Sequence, residues 1–271
     1  MAKTIRHEFD KYLTYDNLMK AHLLSRKGKN YKKEVILFNL KQEEYIRWLY
    51  EQLKNGTYTH GGYRIFYIQY PKKRKIEASR YIDRIVHRWI VDSFLNRYFV
   101  NQFIDTSYAC IKNRGMHKAS IDVQNTMKHC KRIWQNYYIL KMVIRKYFQN
   151  IDKDILMNIL KRKVKEEKLV KLLEKIKNYL KIKLELELND KTQIFKSDQG
   201  VNFCGYKINE YRLKLRDRGK KAIKQKVRYL KEEVQKGNMN SKEASRFICG
   251  HLGYMKYANT RNLEEKLFYI N

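Results

Sequence analysis

Tyr138 to Asp152 reads YILKMVIRKYFQNID. A short apolar strand runs into a basic pair and two aromatics, and a helix start follows at about Ile151, continuing to Lys163. A strand that ends in this way presents a side chain at its tip, and here position 143, where a reactive group would stand, is Val143. Two acids, Asp152 and Asp154, sit nine or more residues further on, where helix capping and the helix dipole account for them.

Outward from this stretch, Asn39–Gln42 resembles a capping box, with helical spacing at Tyr45, Leu49 and Leu53. GYRIFYIQY (62–70) alternates and reads as a strand ending at Pro71. Ile82, Ile85, Val86, Trp89, Ile90 and Phe94 recur at helical spacing, and a further amphipathic helix spans about His117 to Trp134. After the opening stretch, charged helix is predicted to about Leu180, alternation over Ile182–Leu188 predicts a strand, and KTQIF with VNFCGYKI reads as a hairpin. From Lys220 onward the chain reads as helical. One proline and 11 glycines in 271 residues imply long helices with short connections. The order of helices, mixed sheet and helical tail points to an α+β fold.

A net charge of +32 repels itself in a folded chain and calls for a polyanionic partner, RNA or DNA first. Between Tyr211 and Gly237 stand 11 Lys/Arg and three Asp/Glu, a cationic stripe suited to a phosphate backbone, with Lys220, Lys221, Lys224 and Arg228 as its centre. A hydrophobic content of 43% is enough for a buried core. No apolar run approaches the ~20 residues of a spanning helix, so no membrane partner is expected. The four cysteines show no CxxC spacing and the seven histidines no ligand cluster, which disfavours zinc and disulfides and fits a reducing cytoplasm. His117 and Cys130 share a predicted helix, but two separated ligands do not make a metal site.

Five blocks in order resemble the reverse transcriptases of bacterial retroelements, the group II intron and diversity-generating types among them. They are GTYTHGGYRIFYIQYPKKRKIEASRYIDRIVHRWI, YACIKNRGMHKA, YILKMVIRKYFQNIDKDIL, LELELNDKTQIF with FCGYKI, and GYMKYANTRNLEEKL, spread over nearly the whole chain. The resemblance implies a right-hand polymerase-like fold, with fingers over 1–135, a truncated palm over 136–208 and a basic helical thumb over 209–271. It implies an RNA-directed DNA polymerase (nucleotidyltransferase-like) ancestry, acting on template, primer and dNTP with two Mg²⁺.

By the same resemblance, Lys73, Arg74, Arg80 and Arg114 align with residues that meet the nucleotide or template. Phe148 aligns with the aromatic gate against a ribose 2′-OH, and Phe203, Gly205 and Tyr206 with the primer-gripping hairpin. The departures are as informative. Val143 stands where the family has its palm aspartate, Ile111 replaces a family arginine, and no Asp-Asp pair exists for the YxDD turn. Roughly 80 residues of the family's palm are absent near Lys171–Lys177. Two cations about 4 Å apart need carboxylate oxygens, and valine supplies none. Asp83 and Arg84 are read as fold-stabilising. The expectation is therefore a catalytically degenerate, nucleic-acid-binding member with no metal cofactor. The alternatives are an RNA-binding or scaffolding subunit that docks another retroelement-encoded protein, and a decayed open reading frame.

Overall fold

The computed structural model describes residues 4–69, 73–144, 151–179 and 193–269. Four helices come first: α1 (Phe9–Tyr12), α2 (Tyr15–Arg26), α3 (Lys33–Leu40) and α4 (Gln42–Lys54). An antiparallel ribbon, β1 (Tyr63–Ile68) with β2 (Arg74–Ser79), leads into α5 (Tyr81–Ile90), which a π-helical turn at Val91–Leu95 joins to α6 (Asn96–Phe99). Then come α7 (Met116–Ile133), β3 (Tyr138–Lys141), α8 (Lys153–Lys163) and α9 (Glu167–Tyr179). Four short strands follow, β4 (Gln193–Lys196), β5 (Val201–Phe203), β6 (Tyr206–Ile208) and β7 (Leu213–Leu215). The chain closes with α10 (Asp217–Gln235), α11 (Ser241–Met255) and α12 (Arg261–Glu264). The architecture is α+β, helices with small antiparallel sheets.

Two compact units result, Met1–Phe103 with Ile144–Glu187, and Ile104–Val143 with Leu188–Asn271. Residues 136–208, read from the sequence as one segment, are divided between them.

The first unit buries Leu18, Val35, Ile46, Leu49, Ile85, Trp89 and Phe94 in one core. The recurrence in α5 explains its share, since Ile85, Val86, Trp89 and Ile90 line one face of a helix. Phe9 packs edge-on against Trp89, with centroids 5.5 Å apart, and the Trp89 indole N–H donates to the Tyr12 carbonyl at 2.9 Å. Ile5 bridges to Val164: the Ile5 N–H donates to the Lys163 carbonyl and the Lys165 N–H to the Ile5 carbonyl, each at 2.9 Å.

In the second unit β5, β6 and β7 form one antiparallel sheet. Val201, Tyr206, Ile208, Leu213 and Leu215 face inward while Asn202, Lys207 and Lys214 face out, the period-2 pattern of a half-covered sheet. The inner face joins a core with Ile223, Val227 and Leu230 of α10, Ile248 and Met255 of α11, and Met127 of α7.

The structure corrects two local readings. KTQIF does not pair with VNFCGYKI; β4 pairs with β3 in the register Tyr138↔Lys196, and the hairpin is internal to VNFCGYKI. Cys204 and Gly205, with φ of 46° and 91°, make a two-residue turn with both centres left-handed, the turn whose twist suits a tight hairpin. At Gly205 a Cβ would stand 3.2 Å from the Tyr254 ring, so glycine meets both demands. Second, no capping box forms at Asn39: α3 runs on to Leu40, Lys41 precedes α4 without a side-chain cap, and Asn39 Oδ1 accepts from Arg26 at 3.4 Å. A capping box does form at α11, where Asn240 and Glu243 exchange bonds of 2.9 and 3.0 Å. The alternation over Ile182–Leu188 lies outside the described residues.

Candidate nucleic-acid interface

The most basic element, α10, is amphipathic. Ile223, Val227 and Leu230 anchor it to the core of the second unit. Beside that stripe, Lys221, Lys224, Arg228 and Lys231 follow at spacings of three, four and three, so they fall within roughly 80° around the axis and along about 15 Å of it. All four are exposed. Arg228 pairs with Glu232 at 3.0 Å across the surface, a weak interaction in water, and the other three make no ion pair among the described residues. Lys220 is half-buried at the edge of the apolar stripe and pairs with Asp217 at 3.2 Å. The effective row therefore contains Lys231, which composition alone did not single out and the i, i+3, i+7, i+10 spacing identifies.

Aromatic side chains stand near these cations. Lys226 Nζ lies 5.1 Å from the ring centroids of both Tyr229 and Phe247, and these rings are 49% and 57% exposed. Exposed rings beside ammonium groups combine stacking with charge, the two means by which single-stranded nucleic acid is held. On the outer face of the sheet Lys207 and Lys214 stand directly opposite in register, with no carboxylate in ion-pair reach among the described residues. Like charges in that position disfavour the sheet unless an anion lies between them.

The primer-grip positions serve packing in this fold. Tyr206 is wholly buried; its hydroxyl contacts His117 Nδ1 at 2.7 Å and donates to the Tyr254 carbonyl at 3.1 Å. Burial pushes the Tyr206 phenol up to about 12. Gly205 is the turn glycine beneath Tyr254, and Phe203 packs partly buried against the same core. His117 is stacked on Tyr257 at 4.3 Å, a ring in an aromatic cluster. Arg114 ties down its own loop: Nη1 donates to the carbonyls of Ile104 (3.0 Å) and Ser107 (3.1 Å), and Nη2 approaches Asp105 at 3.4 Å.

In the first unit, Arg74 opens the second strand of the ribbon and Lys73 stands immediately before it, with Lys73 Nζ 5.6 Å from the Tyr67 ring. Ile65, Phe66, Tyr67 and Ile68 of the partner strand are exposed beside them. Arg80 precedes α5 and its stem lies over Gly61, where a Cβ would come within 2.8 Å of Arg80 Cδ. Asp83 is buried, accepting from the Tyr58 hydroxyl at 2.6 Å and the Gly61 N–H at 3.1 Å, and Arg84 pairs with Glu34 at 2.5 Å. Phe148 lies outside the described residues.

Val143 lies two residues past β3. Asp152 caps α8, its Oδ1 accepting from the N–H groups of Asp154 (2.8 Å) and Ile155 (2.9 Å). Among the described residues no three His, Cys, Asp or Glu side chains converge on a point able to hold a metal ion. Nor is any described helix long and apolar enough to cross a membrane. No protein-family model matches the chain, and no curated protein matches its sequence.

Proposed function

We propose that the chain is a nucleic-acid-binding protein, RNA its first ligand, of reverse-transcriptase ancestry and without polymerase chemistry. The observation that carries the binding is the row Lys221, Lys224, Arg228 and Lys231, four exposed cations on a helix anchored by its own apolar stripe. The ordered sequence blocks support the ancestry, and the right-hand arrangement of fingers, palm and thumb belongs to the same proposal. The two Mg²⁺ of that family do not fit the residues present. Val143 has no donor atom, and the Asp152 oxygen already accepts two backbone N–H groups at a helix start. No catalytic step follows from them. A cytoplasmic location and a retroelement-encoded protein partner are further parts of the reading.

The test is binding of a single-stranded RNA oligonucleotide to the intact chain across a salt series. If six phosphates are neutralised, the logarithm of affinity falls with the logarithm of salt at a slope of about −4. A slope near zero rejects a nucleic-acid partner.

A further inference from the structure

A second cationic feature lies in the first unit and involves none of the α10 cations. Between α1, the C-terminal end of α4 and α9 is a cavity of about 240 Å³. Its floor is apolar, with Phe9 and Leu172 both buried, and its rim carries Lys54, Lys168, Lys171 and Lys175. The last three stand at i, i+3 and i+7 on α9, so one helix face delivers them together. Lys54 is the last residue of α4.

The charges do not balance. Lys168 is neutralised by Asp10 at 2.7 Å and Lys171 by Glu167 at 2.5 Å. Lys54 lies over the Tyr50 ring at 5.6 Å and Lys175 donates to the Gly56 carbonyl at 2.5 Å, and neither meets a carboxylate among the described residues. Two positive charges remain at one small cavity. Pockets for drug-sized ligands run to roughly 300–1,000 Å³, so this one suits a compact group.

We propose that this cavity is a site for a phosphate-bearing anion, of the size of a diphosphate group, held by Lys54 and Lys175. Lysine ammonium groups bind such oxygens as point charges with three donors each. The group belongs to a free diphosphate-bearing small molecule or to adjacent phosphates of a nucleic-acid backbone. The inference does not depend on the α10 row.

The experiment is calorimetric titration of the intact chain with inorganic pyrophosphate in metal-free buffer at neutral pH. One equivalent is expected to bind. The Lys54→Gln/Lys175→Gln double variant should bind at least tenfold more weakly, and Lys54→Arg/Lys175→Arg should retain binding. Lys221→Gln/Lys224→Gln on α10 should leave it unchanged. Absence of binding at millimolar pyrophosphate, or equal weakening by the α10 variant, overturns the proposal. Should the double Gln variant fail to fold, acetylation of the unmodified chain mapped by mass spectrometry decides the matter. Pyrophosphate must then slow modification of Lys54 and Lys175 but not of Lys221, and equal rates reject the site. A ten-nucleotide RNA separates the two sources. Displacement of pyrophosphate, with RNA affinity lowered in the double Gln variant, assigns the site to a nucleic-acid backbone; undisturbed pyrophosphate binding assigns it to a free ligand.

Discussion

Asp83 shows what a single carboxylate does when the chain has few to place. It is fully buried, with the Tyr58 hydroxyl at 2.6 Å and the Gly61 N–H at 3.1 Å as donors, so it ties the segment before β1 to the first turn of α5. Burial first, and the Asp83 bond second, push the Tyr58 phenol far above its ordinary value. Asp83→Ala would strand both donors, and a loss of about 3 kcal/mol is expected in urea unfolding, with Asp83→Asn milder. An unchanged midpoint would count against the bond network. The fold-stabilising role of Asp83 was legible from its place in DRIVH, but its partners were not, because Tyr58 and Gly61 lie more than 20 residues upstream in a segment without periodicity. Histidines supply a pH dependence. Burial, then the nearby Arg26, holds His22 below its ordinary 6.5; burial, then His60, lowers His87. The folded state thus binds fewer protons than the unfolded state below about 6.5, so this stability is present above that pH and is lost as pH falls. The thermal midpoint should drop between pH 7 and 5, and His22→Gln and His87→Gln should each flatten the drop. Parallel curves for parent and variants would refute the assignment.

Among the elements, α10 was the most legible and the hairpins the least. A helix with apolar residues at 223, 227 and 230 and cations between them states both its packing and its charge in one repeat. Replacing Lys221, Lys224, Arg228 and Lys231 by glutamine removes four phosphate contacts, each worth about 0.7 in the salt slope for single strands, so the slope should flatten by roughly 3 units. All four side chains are exposed, so the fold should persist, and circular dichroism of the variant checks that. A full-strength slope in this variant would move the interface elsewhere. Local sequence signals did not place the β5–β6 turn, because it is Cys204–Gly205 in place of the usual Asn-Gly or Asp-Gly, and a cysteine at φ 46° carries no sequence signal. The two asparagine motifs differ for a tertiary reason. Asn240 follows a chain reversal at Gly237 and is available to cap, whereas Asn39 is inside α3 and bonds to Arg26.

At the scale of the molecule, a chain with Val143 after β3 and with Asp152 committed to capping should incorporate no dNTP on RNA or DNA templates with Mg²⁺ or Mn²⁺. Val143→Asp alone should not restore incorporation, since one carboxylate cannot position two cations. Template-dependent extension by the unmodified chain, above a mock purification, would reverse that conclusion. A fragment beginning at Gly205 should not keep this fold, because a cut there splits the β5–β6 turn and removes Met127, Tyr137 and Val201 from the core that holds Ile223 and Met255. Such dependence was not legible because each unit is assembled from two distant stretches of chain. The bridge between Ile5 and Val164 then sets an order of events during synthesis. The residues around Ile5 and Glu8 must wait for partners some 158 positions later, about 8 to 30 seconds at ordinary elongation rates. Over that interval Phe9, Trp89 and Phe94 lack Leu169 and Leu172, which complete their core. Slowing translation between the codons of Phe94 and Val164 should therefore increase aggregation of the nascent chain more than slowing it after the codon of Leu172.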